Sequence, residues 1–115
     1  MTSQPTSRIA DRFARLRAEG RKAFVPYLTV GDPSLDLTRE LAFMLEDAGA
    51  DILELGLPFT DPIADGPTNQ RAAQRALDRG VRGEHLLKLV SELREGGFTL
   101  PIVLFTYFNP LLQLV

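Results

Sequence analysis

The chain has 115 residues, of which 44% are hydrophobic and 24% charged, with a formal net charge of -2 and no cysteine. This composition is typical of one globular domain, and it disfavours nucleic-acid and anionic-membrane partners. It also excludes disulfide scaffolds, thiolate zinc sites and a cysteine nucleophile.

Helical and strand patterns alternate along the chain. The apolar spacing predicts helices over residues 6–19, 34–48, 68–79 and 83–95, and strands over residues 23–30, 51–57 and 101–107. Ser7 and Ser34 are suited to cap two of these helices, and Gly20 and Gly49 to end them. The closing "NPLLQLV" predicts the start of a further helix. No apolar run is long enough for a signal peptide or a membrane span, so we expect a single cytoplasmic domain over residues 1–115.

The alternation of strands and helices indicates parallel crossovers. The strands are almost wholly apolar, as expected when both faces of a parallel sheet are covered. The unusual stretches "GDP", "PFTDPIADGP" and "YFNP" each follow the carboxyl end of a strand, where α/β folds gather their chemistry. No G-x-G-x-x-G follows the first strand, which disfavours a dinucleotide fold. We therefore predict an α/β fold of the (β/α) barrel type.

Glu54 stands inside the second predicted strand. Because side chains alternate along a strand, Glu54 and Gly56 share one face, and Leu53 and Leu55 share the other. If the leucines meet the helices, Glu54 faces the barrel interior, where desolvation suits a carboxylate to donate and accept a proton near neutral pH. The alternative is a buried glutamate paired with an arginine, and this residue alone does not separate the two.

The loop after Glu54 is stiff and acidic. Pro58, Pro62 and Pro67 each fix a φ angle, and Asp61 and Asp65 lie between them. Taken singly, an aspartate here is a turn residue or a helix cap. Together with the neighbouring glutamate, the loop indicates a preorganised site that holds Asp65 in a fixed relation to the strand.

Other polar and aromatic residues occur near the strand ends. Tyr27, Phe105 and Tyr107 either belong to the core or line an aromatic pocket, and their place at the barrel mouth favours the pocket. Asn69 either binds a ligand or lies exposed on its helix.

Two further residues have ordinary interpretations. We expect Asp32 to end a strand and help to start the next helix, and His85 to be solvated on a surface helix. With a single histidine, a histidine-based triad or a multi-histidine metal site is excluded, and we predict no metal.

Three segments together resemble one enzyme family. The stretches "FVPYLTVGDP", "AGADILELGLPFTDPIADGPTNQ" and "LPIVLFTYFNP" are similar, in order and spacing, to the opening of the tryptophan synthase alpha subunit. The resemblance implies a (β/α)₈ TIM barrel that cleaves indole-3-glycerol phosphate to indole and glyceraldehyde 3-phosphate. Tyr27 stands where a phenylalanine is common, and Asn69 where an apolar residue is expected.

The resemblance also implies roles. Glu54 matches the glutamate that protonates the indole ring at C3, and Asp65 the aspartate that holds the indole N–H. The residues that match the indole pocket are Tyr27, Phe105 and Tyr107, with Asn69 on its wall. The residues that match the contact with a beta subunit, in an α2β2 complex, are Pro58, Asp61 and Asn109. Pyridoxal phosphate is expected only in that partner, and no cofactor in this chain.

A complete barrel needs about 250 residues. We therefore expect this chain to be the N-terminal part, with its first helix and strands one to three, and to lack the family's phosphate-binding loops and flexible lid. Such a piece would be inactive alone. Two alternatives stay open: a non-catalytic half-barrel that pairs through its open sheet edges, and another phosphate-binding barrel enzyme. The lack of a lysine at any strand end disfavours a Schiff-base aldolase.

Overall fold

The computed structural model describes residues 7–59 and 66–107 of the chain. Four helices and three strands lie in these ranges. In chain order they are α1 (Arg8–Glu19), β1 (Tyr27–Thr29), α2 (Leu35–Asp47), β2 (Leu53–Gly56), α3 (Pro67–Asp78), α4 (Gly83–Glu95) and β3 (Ile102–Phe105). All seven predicted elements are confirmed, and the helix predicted from "NPLLQLV" lies outside the described residues. Within those ranges, no helix has both the length and the apolar character needed to cross a membrane.

The predicted helix boundaries follow from capping chemistry. The hydroxyl of Ser7 accepts a hydrogen bond from the Ala10 N–H at 3.0 Å, and that of Ser34 accepts one from the Leu37 N–H at 3.0 Å. Gly20 ends α1 in the left-handed conformation, with φ of 67°. These bonds satisfy backbone groups that a helix end would otherwise leave unpaired.

The strands are shorter than predicted, most clearly the first. Residues 23–26 precede the paired part of β1, although the Phe24 carbonyl still accepts a hydrogen bond from the Asp51 N–H at 2.9 Å. Pro26 has no N–H to donate, so regular pairing begins only at Tyr27.

The three strands form one parallel sheet in the order β1-β2-β3. Tyr27 pairs with Glu54, which pairs with Val103. Two residues further along each strand, the row is Thr29, Gly56 and Phe105. Because paired residues point to the same side of a sheet, these six residues share one face.

The opposite face of the sheet carries the hydrophobic core. Leu53 and Leu55 are both 0% exposed and pack against the helices, as the alternation predicted. The helices contribute small and branched side chains to the same cluster, including Ala42, Ala76 and Leu93. The crossover helices therefore cover one face and leave the Glu54 face to the interior side of the sheet.

Helix α1 lies at the end of the sheet where the strands begin. Arg8 donates a hydrogen bond to the Thr99 carbonyl at 3.1 Å, just before β3. Arg12 lies 3.8 Å from the carboxylate of Asp51, just before β2. The first helix therefore belongs to the edge opposite the loops that carry the candidate site.

The assignment of residues 1–115 to a single domain stays a prediction.

Candidate active site

Glu54 lies at the centre of the face that the helices leave open. It is half-buried, between the fully buried Leu53 and Leu55 of the same strand. Among the residues that the structure describes, no side chain forms a hydrogen bond or an ion pair with its carboxylate. The arginine-paired alternative therefore finds no support in this part of the chain.

The described arginines that form ion pairs have other carboxylates as partners. Arg75 pairs with Asp32, and Arg39 pairs with Asp36 and Glu92. Glu54 is thus the carboxylate on this face whose oxygens are not already committed to a described cation. It has the position and the freedom that proton transfer to a ligand requires.

An aromatic wall stands beside Glu54. The rings of Tyr27 and Phe105 meet edge to face, with centroids 5.9 Å apart and an interplanar angle of 88°. The Thr29 hydroxyl donates a hydrogen bond of 3.4 Å to the Tyr27 hydroxyl. Phe105 is 43% exposed and offers a free ring surface on this face. Tyr27 is the first residue of β1 and Phe105 is the last residue of β3, and the expectation that they line a ligand pocket stays a prediction.

A second aromatic pair joins the segments that follow β2 and β3. The rings of Phe59 and Tyr107 lie 5.2 Å apart at an angle of 38°. Both residues are half-buried. The sequence did not predict a role for Phe59. An isolated phenylalanine in a proline-rich loop does not indicate a contact with Tyr107, which lies 48 positions further along the chain.

The remaining predicted site residues divide into two groups. Pro58 is buried just after β2. Asn69 lies exposed in the first turn of α3, which was one of the two alternatives predicted for it. Asp61, Asp65 and Asn109 lie outside the described residues. Their proposed contacts, and the roles assigned to the whole set, stay predictions.

The prediction for Asp32 is wrong in one respect. Ser34 caps α2, while the Asp32 carboxylate accepts two hydrogen bonds from the guanidinium of Arg75, at 2.7 and 2.9 Å. The hydrogen bonds that the guanidinium donates to Asp32 raise the pKa of Arg75. This fork fixes the turn after β1 against α3, at the edge of the sheet where the strands end.

The prediction for His85 is incomplete, because the residue lies on the surface helix α4 as expected but its side chain also has a backbone partner. Its Nδ1 atom accepts a hydrogen bond of 2.9 Å from the backbone N–H of Arg82, the residue that caps α4. The sequence contained a signal for this contact, because a side chain three residues after a cap is placed to reach back to it.

Asp51 is another residue, besides Phe59, whose contacts the sequence did not reveal. It is 2% exposed, and one carboxylate oxygen accepts a hydrogen bond from the Phe24 N–H at 2.8 Å. It lies at the beginning of β2, so its role is structural. Among the described residues, no group of three histidine or acidic side chains could hold a metal ion.

In the part of the chain that the structure describes, a carboxylate without an ion-pair partner thus lies beside an aromatic pair on one face of a parallel sheet. The family model described as "Tryptophan synthase alpha chain" matches residues 13–115. The chain belongs to the tryptophan synthase alpha chain family. The matched range includes all three segments that carry the resemblance, which are residues 24–33, 48–70 and 100–110.

Individual alpha chains are similar to this chain in sequence. The alpha chain of Roseiflexus castenholzii is 59% identical over 107 residues, which is 93% of this chain and 41% of that protein. The alpha chain of Geobacillus kaustophilus is 57% identical over 91 residues, or 79% of this chain and 34% of its own length. The chain therefore spans about 40% of the length of the curated alpha chains that it matches.

Solved alpha chains show the same fold. The alpha subunit from Legionella pneumophila strain Paris superposes with a TM-score of 0.92 at 40% identity, over 96% of this chain and 42% of that one. Tryptophan synthase from Mycobacterium tuberculosis, in an aminoacrylate-bound form, gives a TM-score of 0.85 at 37% identity over 94% of this chain and 43% of that one. These structures confirm the prediction that the chain forms an N-terminal portion of a TIM barrel.

Proposed function

We propose that this chain is part of an enzyme that cleaves indole-3-glycerol phosphate to indole and glyceraldehyde 3-phosphate. The observation that carries the proposal is the position of Glu54. Its carboxylate lies on the open face of the sheet, without a described ion-pair partner and beside the aromatic wall of Tyr27 and Phe105. Membership of the alpha chain family supports the same reaction.

The reaction needs a proton donor at one carbon of a flat ring. In the proposed step, Glu54 gives a proton to C3 of the indole, which leaves the ring positively charged. The bond between C3 and the glycerol carbon then breaks, and its electron pair returns to the ring. The hydroxyl on that glycerol carbon gives its proton to the Glu54 carboxylate left by the first step, which restores the acid, and the carbon becomes the aldehyde. Asp65 would stabilise the cationic ring through the indole N–H.

The aromatic side chains would bind the ring. Phe105 and Tyr27, which meet edge to face, would contact a ligand bound at Glu54, and Tyr107 would extend the apolar surface beyond β3. Asn69 would add a polar group from α3. These contacts orient the ring and exclude water from it, which strengthens the electrostatic effect of both carboxylates.

We also propose a beta subunit as the protein partner, in an α2β2 complex. Pro58 is buried, so its contribution would be to fix the start of the loop, leaving direct contact to Asp61 and Asn109. Pyridoxal phosphate would belong to the partner alone, with no cofactor in this chain, and the complex would work in the cytoplasm. A pull-down with a beta subunit, comparing the wild type with Asp61→Ala, tests the partner.

A second candidate function is a non-catalytic interaction module. The edge strand β3 supports it, because Leu104 and Phe105 are 42% and 43% exposed and unpaired strand edges invite association. Size-exclusion chromatography of the 115-residue chain distinguishes the two. A dimer would favour the module, and a monomer would leave the enzyme as the better account.

Product analysis of the native gene product tests the enzymatic proposal. We expect indole and glyceraldehyde 3-phosphate to appear in equal amounts from indole-3-glycerol phosphate. The variant Glu40→Gln, which changes an exposed glutamate on α2, should behave like the wild type. Absence of indole release from a folded native protein would refute the reaction and favour another phosphorylated substrate.

A further inference from the structure

Gly56 leaves the space that the ring of Tyr27 occupies. A Cβ atom added at residue 56 would lie 2.5 Å from the Cζ and 2.8 Å from the Cε2 of Tyr27, and closer still to its hydroxyl oxygen. Carbon atoms attract each other best at about 3.5–4.0 Å, so these contacts are strongly repulsive. The phenol can therefore lie over β2 only because residue 56 has no side chain.

The requirement for glycine is steric rather than conformational. Gly56 is not among the glycines with a positive φ angle, which are Gly20, Gly31, Gly49, Gly80 and Gly97. The backbone would accept an alanine at this position, and the three atoms nearest to its Cβ all belong to the Tyr27 side chain. The effect of Gly56→Ala should consequently depend on what stands at residue 27.

The Tyr27 ring has neighbours on its other sides. Phe105 meets it edge to face at 5.9 Å, and the Thr29 hydroxyl donates a hydrogen bond to the phenol oxygen at 3.4 Å. Thr29, Gly56 and Phe105 form one row of the sheet. The ring thus crosses from β1 to the middle strand and rests on this row.

We propose that Gly56 is a positioning residue that fixes the phenol of Tyr27 as a wall beside Glu54. Tyr27 is the register partner of Glu54, and Gly56 follows Glu54 by two residues on the same face. A flat ring that offers a carbon to the Glu54 carboxylate must also contact this wall. The inference rests on the proposed function, because the ring it would orient is the indole of the substrate.

A pair of substitutions in the native gene product tests the inference. Gly56→Ala should displace the phenol and lower kcat/KM for indole-3-glycerol phosphate by about 10²-fold, the usual effect of misplacing a reactant by about 1 Å. Tyr27→Phe removes the closest atom, so in the Gly56→Ala background it should restore part of kcat/KM. In the wild-type background the same change should cause only a modest loss.

The matched control is Gly96→Ala, at the end of α4. There the nearest side-chain atom to an added Cβ is the Cζ of Phe43, at 3.0 Å, far from the Glu54 face. We expect kcat/KM to be unchanged by this substitution. Additive effects of Gly56→Ala and Tyr27→Phe, or a harmless Gly56→Ala, would overturn the inference.

A fluorine NMR measurement separates this inference from the proposed function. With 3-fluorotyrosine incorporated, the Tyr27 signal is assigned by its loss in Tyr27→Phe. We expect Gly56→Ala to shift this signal and to change its response to added indole, and Gly96→Ala to leave both unchanged. If the wild type released no indole, the proposed reaction would fail. An unshifted signal in Gly56→Ala would refute the role of Gly56 whatever the reaction.

A third background covers the case in which Gly56→Ala does not fold. In Tyr27→Leu, the leucine side chain is shorter than the tyrosine side chain and has no phenol that lies over residue 56. Adding Gly56→Ala there should give a folded protein with no further loss of kcat/KM. A further large loss in that background would show that Gly56 acts independently of residue 27, and would overturn the inference.

Discussion

At the scale of single residues, the site depends on which face of β2 each side chain takes. Alternation along the strand predicted that Glu54 would face away from the helix-packed leucines, and the structure confirms it. The lack of a described partner for its carboxylate distinguishes it from Asp51, which is buried and hydrogen-bonded to the backbone. Two acidic residues three positions apart thus have different roles, because one lies at the start of the strand and the other on its open face.

Asp65→Ala should lower kcat less than loss of the Glu54 carboxylate does. The proton donor would remain, and only the stabilisation of the cationic ring would be lost. Removing one preorganised electrostatic contact of this kind costs about 10²–10³-fold in kcat. Steady-state assays of indole release measure the effect. Asp47→Ala, which changes an exposed residue at the end of α2, is the control, and an unaltered kcat in Asp65→Ala would contradict the assigned role.

The sequence contained a signal for the close approach of the Tyr27 ring to Gly56, although the contact was not predicted. A glycine inside an apolar strand commonly marks a close approach by another group. The sequence cannot tell which group approaches, because the register that brings Tyr27 beside Glu54 depends on the pairing of two strands. The Asp32–Arg75 fork was unpredictable for the same reason, since 43 positions separate the two residues.

At the scale of elements, local chemistry predicted the helices well and the strands less well. The two serine caps and the end of α1 at Gly20 were predicted from residue types alone. Helix boundaries depend on neighbouring residues, whereas a strand ends where its partner stops pairing. The first strand therefore begins at Tyr27, four residues later than its apolar composition indicated.

Ser34→Ala should lower the free energy of unfolding by about 1 kcal/mol. The substitution removes the acceptor of the Leu37 N–H at the start of α2. Chemical denaturation of the native gene product measures the change. Ser91→Ala, at an exposed position within α4, should be neutral or slightly stabilising because alanine favours helix interiors. Equal effects at the two serines would contradict the capping role.

Asp51→Ala should destabilise the protein by about 1–3 kcal/mol, the cost of leaving a buried hydrogen-bond donor unpaired. The Phe24 N–H would lose its acceptor, and Arg12 and Arg21 would lose a carboxylate that lies 3.8 and 3.9 Å away. Thermal unfolding gives the loss, with the exposed Asp47→Ala as reference. Because Asp51 lies at the beginning of β2, kcat of the folded variant should stay near that of the wild type.

At the scale of the whole molecule, the two edges of the parallel sheet have different roles. Helix α1 closes the edge where the strands begin, through Arg8 and Arg12, and at the opposite edge the rings of Phe59 and Tyr107 join the segments that follow β2 and β3. The chain spans about 40% of the length of the alpha chains that it matches. The sequence predicted this architecture because every distinctive loop follows the carboxyl end of a strand.

The 115-residue chain alone should release little or no indole. It holds Glu54 and Asp65, but the family resemblance assigns the phosphate-binding loops to the other part of the barrel. Phosphate contacts supply binding energy remote from the reacting carbon, so substrate affinity should fall first. Titration with indole-3-glycerol phosphate, alongside the indole assay, measures both effects. Turnover by this chain at the rate of a complete alpha subunit would refute the expectation.

The central claim is that the Glu54 carboxylate transfers the proton that breaks the carbon–carbon bond. The most direct measurement compares kcat and the Kd for indole-3-glycerol phosphate in the native gene product and in Glu54→Gln, which keeps the size of the side chain. We predict a fall in kcat of about 10⁴-fold, larger than that expected for Asp65→Ala, with Kd nearly unchanged. A near-normal kcat in a folded Glu54→Gln protein would contradict the claim.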